Sequence, residues 1–439
     1  MNDSSTLKRT LGPMALIIYG VGDILGAGVY ALTGKVAALA GEDAWLAFGV
    51  AMVVAALTAF SYAEFSARHP HAGGAAYFLT RATRRPEVPV FIGWLVLCSG
   101  MVSMAAGCRA FAGYLCTLLP FLPNEAVVVA FLAFTGFVAF WGIRESSTMN
   151  IVCTIMTLLG LAIVIGAGFA YVMGGHAPVG VPTNGEGVPS PRAWLGIAAG
   201  AALAFYAFIG FEDLANVAEE AKSPERNLPL AIIVAMGVSG LIYMLVAWVA
   251  TRIIHPAMLS GSEAPLLDLV GVAAPAVPAV LFTIFALFAV ADTALINCVM
   301  GSRLLFGLAR EGLLPAPLGA VHPARRTPHI AILFVLALVL CLAVMGTIEG
   351  LAGTTAALLL TVFAFVHAAL LVVKWRERDH TGFQTPTVVP VLGLVTCLVL
   401  IGFAQGTSLA LACGILAVGL ALAAWRGWAN RKCKKMPRN

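Results

Sequence analysis

PMALIIYGVGDILGAGVYALTGKVAALA (residues 13–40) is long and apolar enough to cross a bilayer, since about 20 apolar residues suffice. Gly20, Gly22, Gly26 and Gly28 nevertheless cluster at its middle. Each glycine weakens a helix by about 1 kcal/mol relative to alanine, and an unpaired backbone group in hydrocarbon is costly unless protein, water or a ligand satisfies it. A break here must line something. At such a break the N–H groups opening the second half-helix face an anion and the carbonyls closing the first face a cation, so a zwitterion suits both. The same glycines also fit a small-residue packing face between spans. A second interruption at the matching place in the later half of the chain favours the break.

The chain has 439 residues, 60% hydrophobic and 11% charged, with mean hydropathy +0.95. That composition belongs to an integral membrane protein and excludes an ordinary soluble globule. Residues 1–12 carry Lys8 and Arg9 but lead into no small-residue cleavage pattern, so the first span is expected to be retained. The nine cysteines form no CxxC pair, and all but one fall inside apolar spans, where they act as small hydrophobes. Spans are predicted near 13–40, 44–67, 91–119, 125–142, 147–173, 193–216, 228–251, 276–300, 328–347, 351–373, 386–405 and 407–427. With the N-terminus inside, nearly all of the 26 Lys and Arg residues fall in cytoplasmic segments; Lys35, Arg192 and Arg252 fall outside and Arg109 within span three. Both termini are therefore expected in the cytoplasm of a multi-pass protein of the inner or plasma membrane. The basic tail, 428–439, then faces anionic lipid and has no nucleic-acid role.

Polar residues inside the spans are few. The loop Arg68–Phe78 is rich in helix breakers and is expected to be an irregular dip, its histidines merely solvated or packed. Arg109 either snorkels outward or meets a substrate. Thr154 and Thr157 lie three residues apart on one face of span five. Span six contains AFYAFIGFED (204–213), where aromatics, Gly210 and the adjacent acids Glu212 and Asp213 replace aliphatic residues. This is the matching interruption. Interrupted span one begins one set of five and interrupted span six the next, and five is odd, so the two sets run in opposite senses, the inverted-repeat layout of many secondary transporters. The expected fold is thus an all-α polytopic membrane protein of about twelve helices with broken helices one and six. A single transporter domain covers 1–439: first repeat 13–173, second repeat 193–373, two extra helices 386–427, then the tail. Deep in span eight, Asp292 sits beside Thr293. A carboxylate at that depth either takes a proton or cation, or joins helices as a hydrogen-bonded neutral acid. His367 in span ten is expected to be a satisfied core residue.

Gly22–Tyr30 (GDILGAGVY), Pro70–Tyr77, Phe208–Glu212 with Glu219–Pro229, and Ser302–Pro315 together resemble, in order and over nearly the whole chain, the motifs of the amino acid–polyamine–organocation (APC) superfamily of permeases. The resemblance implies a substrate carboxylate on the N–H groups of Gly26, Ala27 and Gly28, and an amino group on the carbonyls of Ile24 and around Tyr206 and Ile209. Phe205 belongs to this substrate-binding set, and Tyr206 and Phe208 are expected to cover the substrate. Some proton-driven members place a lysine at the position aligned with Thr157. Here the coupling cation, H⁺ or Na⁺, is expected on Asp292 and Thr293 with Thr157 opposite and the backbone near Gly22; Glu212 is the competing proton site.

The implied function is secondary active transport of an amino acid, neutral in preference to cationic, by alternating access and in symport with the cation. An amino acid/polyamine exchanger or a transporter-like amino acid sensor stays open, as does oligomeric state. No cofactor or metal is expected, and lipid is the other partner. No nucleophile–base set or His-rich cluster supports a membrane enzyme, and no span carries the continuous polar stripe of a channel.

Overall fold

The computed structural model describes residues 9, 11–71, 73–141, 147–180, 193–310, 314–323, 325, 327–377 and 382–435, with side chains from 152 onward in the fifth span, from 194 in the sixth and up to 427 at the end. Lys8, Arg144, Arg192, Arg326, Arg378, Ala72, Glu311–Leu313 and the side chains of 428–439, used above for orientation or motif, lie outside this set.

Both predicted interruptions are present. The first span is α1 (Pro13–Ile24) and α2 (Ala27–Ala40). After a turn at Gly41–Asp43 come α3 (Ala44–Arg68), the short α4 (Gly74–Ala82), α5 (Glu87–Leu118), α6 (Asn124–Trp141) and α7 (Ser147–Met173). The sixth span opens as α8 (Ala193–Ala204), tightens into 3₁₀ turns at Phe205–Phe208 and Phe211–Ala215, and never returns to α-helix. Then follow α9 (Pro224–Ile253), the short outer helices α10 (Pro256–Gly261) and α11 (Pro265–Ala273), α12 (Ala279–Arg310), α13 (His329–Met345), α14 (Ile348–Arg376), α15 (Val388–Gly402) and α16 (Gly406–Lys435). Among the described residues nine helices are long and apolar enough to span by themselves; α1, α13 and α15 are shorter apolar helices. The second span packs along the seventh (α3 on α9) and the third along the eighth (α5 on α12), which are corresponding members of the two sets of five.

The sequence placed some boundaries wrongly. Residues 74–82 are helical: after Gly73 (φ 130°) and Gly74 (φ 50°) turn the chain, the amphipathic run GAAYFLTRA packs onto α5 and α14. The eighth span continues to Arg310 because Arg303, Leu304, Leu305, Leu308 and Ala309 are good helix formers that outweigh Gly301 and Gly307, and the run ends in a basic residue that suits a helix C-terminus. His367 is satisfied as expected, with Thr58 Oγ1 at 3.2 Å and Ser61 Oγ at 3.0 Å from its ring nitrogens.

Candidate functional site

In the first break α1 ends at Ile24, Leu25 N–H closes back on Val21 O (2.9 Å), and Gly26 caps α2. The first N–H groups of a helix have no carbonyl of their own helix to bond. That of Ala27 donates to Thr293 Oγ1 on α12 (3.3 Å), leaving those of Gly28 and Val29 at the positive end of α2. In the second break Ile209 is extended (φ −65°, ψ 138°), Gly210 has φ 129°, and Gly210 N–H donates to Glu212 Oε2 (2.9 Å). The breaks touch main chain to main chain. A Cβ on Gly28 would sit 2.5 Å from Ala207 Cα, and one on Gly210 would sit 2.8 Å from the Asp23 carbonyl. The fully buried Tyr243 of α9 sets its hydroxyl between the carbonyls of Ile24 and Ala207 (2.8 Å to the latter) and so ties one break to the other. Leu11 and Lys222 exchange further main-chain bonds with each other's strand of chain, joining the ends of the two broken spans.

A cavity of about 360 Å³ lies against both breaks, faced by α5, α12 and α14. This is near the lower end of the roughly 300–1,000 Å³ of small-molecule sites. Its floor is the Tyr206 hydroxyl with Ser103 Oγ at 3.1 Å. From Thr293 to Leu304 it follows α12 for roughly 16 Å, at about 1.5 Å per residue. Its lining includes buried Tyr206 and Ser103 and, at the other extreme, exposed Gly73, which marks the mouth. The opposite end is shut. There Tyr30 donates to Thr157 O and Tyr114 donates to Tyr30 O (both 2.9 Å), and Lys35 pairs with Glu349 at 2.9 Å.

Ile24, Gly26, Ala27, Gly28, Tyr206, Ile209, Glu212 and Thr293 line this cavity; Phe205, Phe208, Gly22, Thr157 and Asp292 do not. The aromatic assignment is corrected by 3₁₀ geometry, in which residues three apart eclipse. Tyr206 and Ile209 therefore share the cavity face, while Phe205 and Phe208 face away onto Phe363 and Tyr243 (ring centroids 6.0 and 5.1 Å). Thr157 also needs correction. The hydroxyl against Gly22 is that of Thr154, and the thiol of Cys153 lies near Asp292. Thr157 lies a turn further out, level with Tyr30, and its hydroxyl donates to Cys153 O (2.9 Å). The Ile24 carbonyl, expected to meet an ammonium, already accepts from Tyr243, and that of Tyr206 accepts from Ile209 N–H (3.3 Å). Arg109 is half-buried away from the cavity. The sequence reading missed Tyr243 and Ser103; the latter carries a weak signal as a polar residue in an apolar span.

Two main-chain breaks facing one closed-ended cavity are the geometry of a carrier site, and the comparisons agree. The model of the amino acid permease family matches residues 11–415. The chain belongs to the amino acid permease family. This permease is 29% identical to a branched-chain amino acid permease of Bacillus subtilis, over 90% of this chain and 88% of that one. It is 30% identical to an uncharacterized transporter of Mycobacterium tuberculosis, over 98% and 94%. It is also 30% identical to cationic amino acid transporter 4 of Mus musculus, over 85% of this chain and 61% of that one. The family consists of transporters, so the protein is not an enzyme.

Removing the Tyr243 hydroxyl tests the tie between the breaks. The two buried carbonyls share the one proton of this hydroxyl, and losing it would cost about 1–3 kcal/mol. Tyr243→Phe is expected to lower uptake about tenfold at equal protein level, read in proteoliposomes; unchanged uptake would show that the breaks hold without it.

Proposed function

We propose that this permease carries an amino acid by alternating access, with the α-carboxylate on the N–H groups of the first break and the α-ammonium among carbonyls of both breaks. The observation that carries this reading is the main-chain contact of the two breaks beside a cavity, with the fully buried Tyr30 and Tyr114 beyond it. The basic residues Arg81, Arg84, Arg85, Lys374 and Arg376 cluster at the segments nearest the mouth, which supports a cytoplasm-facing opening and cytoplasmic termini. Rocking the broken spans against α5 and α12 would part the Tyr30–Tyr114 and Lys35–Glu349 contacts and close the mouth.

The coupling ion is a proton in this reading. A carboxylate at membrane depth is either paired or takes a proton, and Asp292 is such a carboxylate, on α12 near Cys153 of α7. Flux into proteoliposomes under imposed pH and Na⁺ gradients tests both parts. Uptake of amino acid should follow the pH gradient, and Asp292→Asn should lose at least tenfold of the gradient-driven accumulation while exchange survives. Accumulation in Asp292→Asn that still follows pH would move the role to Glu212. No flux of any amino acid would leave a sensor on the same frame.

A further inference from the structure

We propose that the substrate's side chain is uncharged and aliphatic, and that Gly100 sets how large it can be. This rests on the preceding reading, because an amino acid gripped at the breaks must turn its side chain toward the facing wall. That wall is made by α5, α12 and α14, and the residues it offers at and below break level are Leu97, Gly100, Ile296, Met300, Thr355 and Leu359.

The hydroxyl and amide donors on the wall bond carbonyls of their own helices. Ser99 Oγ donates to Val96 O (2.8 Å), Thr355 Oγ1 to Leu351 O (3.1 Å), and Asn297 Nδ2 to Thr293 O (2.9 Å). Ser103 is held by the Tyr206 hydroxyl. Among the described residues lining the cavity there is no lysine or arginine, so an acidic side chain finds no counter-charge. The cavity's carboxylates, Asp23, Glu212 and Asp213, all belong to the break segments. Glu212 accepts from Gly210 N–H and Asp213 from Asn216 Nδ2 (both 2.9 Å), so they hold the second break together. A cationic side chain turned onto the wall would leave those carboxylates on the break side and lie among Leu97, Ile296, Met300 and Leu359, which burial penalises. An aliphatic one gains from the same burial.

Gly100 governs the depth of this chamber. A Cβ there would come 2.9 Å from Asn297 Oδ1. A methyl group at 100 would therefore push the Asn297 amide off α5 and into the space beside Ile296.

The test is uptake by the purified full-length protein in proteoliposomes of labelled leucine, isoleucine, valine, alanine, lysine, arginine, glutamate and putrescine. Leucine, isoleucine and valine should exceed alanine by on the order of 10–100-fold in kcat/KM, with lysine, arginine, glutamate and putrescine at background. Gly100→Ala should lower leucine uptake more than alanine uptake, and Met300→Glu should raise lysine relative to leucine at least tenfold. Should either variant fail to fold, the wild-type ranking decides alone. Lysine, arginine, glutamate or putrescine carried as well as leucine would overturn this inference and leave the transport reading standing. Movement of none of the amino acids would overturn both.

Discussion

Gly210→Ala is expected to reduce uptake to background. Gly210 holds φ 129°, a conformation that residues with a Cβ rarely adopt, and the added methyl would sit 2.8 Å from the Asp23 carbonyl and 3.1 Å from Ile24 N. Strain of that kind costs about 1–3 kcal/mol, and forcing a methylene into a packed site costs about the same again. The atoms met are main chain, so no side chain can swing away. The first break must shift, and it is the part proposed to hold the substrate. Two other glycines calibrate the result. Gly166 and Gly237 lie in α7 and α9 with nothing within 4 Å of where a Cβ would stand, so alanine there should leave uptake unchanged and stabilise the helix slightly. Equal loss at all three positions would mean that membrane helices of this protein tolerate no added bulk, and the argument from the breaks would fail.

Glu64→Ala is expected to cause the largest loss of stability. Glu64 is fully buried near the end of α3. Its carboxylate accepts from Lys374 Nζ (2.8 and 2.7 Å), from Arg68 Nε and Nη2 (2.9 and 2.7 Å), and from the Thr385 amide and hydroxyl (2.9 and 2.7 Å). The second span, the tenth span and the connection to the eleventh thus meet at one side chain. Removing one member of a buried ion pair costs about 3–5 kcal/mol, because the remaining charges are left without compensation. A drop of several degrees in the thermal midpoint in detergent is the readout. Glu64→Leu combined with Lys374→Met should recover part of that loss, since Arg68 keeps the Glu377 carbonyl at 3.0 Å. A double variant no more stable than Glu64→Ala would contradict the electrostatic account.

Why some of this was legible beforehand follows from range along the chain. The breaks are local: four glycines in one span, and an aromatic–glycine–acid run in another, contradict helix formation within a few residues of themselves. Twelve spans follow from the same short-range hydropathy. Residues that act across spans were harder. Tyr243 sits in LIYMLV, where nothing but tertiary packing reveals that its hydroxyl reaches Ile24 and Ala207. Thr154 and Thr157 share a helix face, and only the level of α7 against α1 decides which of them meets Gly22. Phe205 and Phe208 point away because the segment winds as 3₁₀, a change of period that the residue pattern left open. Glu64 has its i+4 partner Arg68 in view, but Lys374 and Thr385 lie far along the sequence.

The claim beneath all of this is that main chain at the two breaks grips both charged ends of an amino acid. Competition against the best-transported amino acid, by its own methyl ester and by its decarboxylated amine, measures that directly. A lost charge-assisted hydrogen bond costs about 1.5–3 kcal/mol, so each analogue should compete at least about tenfold more weakly, and an acid lacking only the amine should fail likewise. An ester or amine competing as well as the parent amino acid would show that the breaks do not hold those groups.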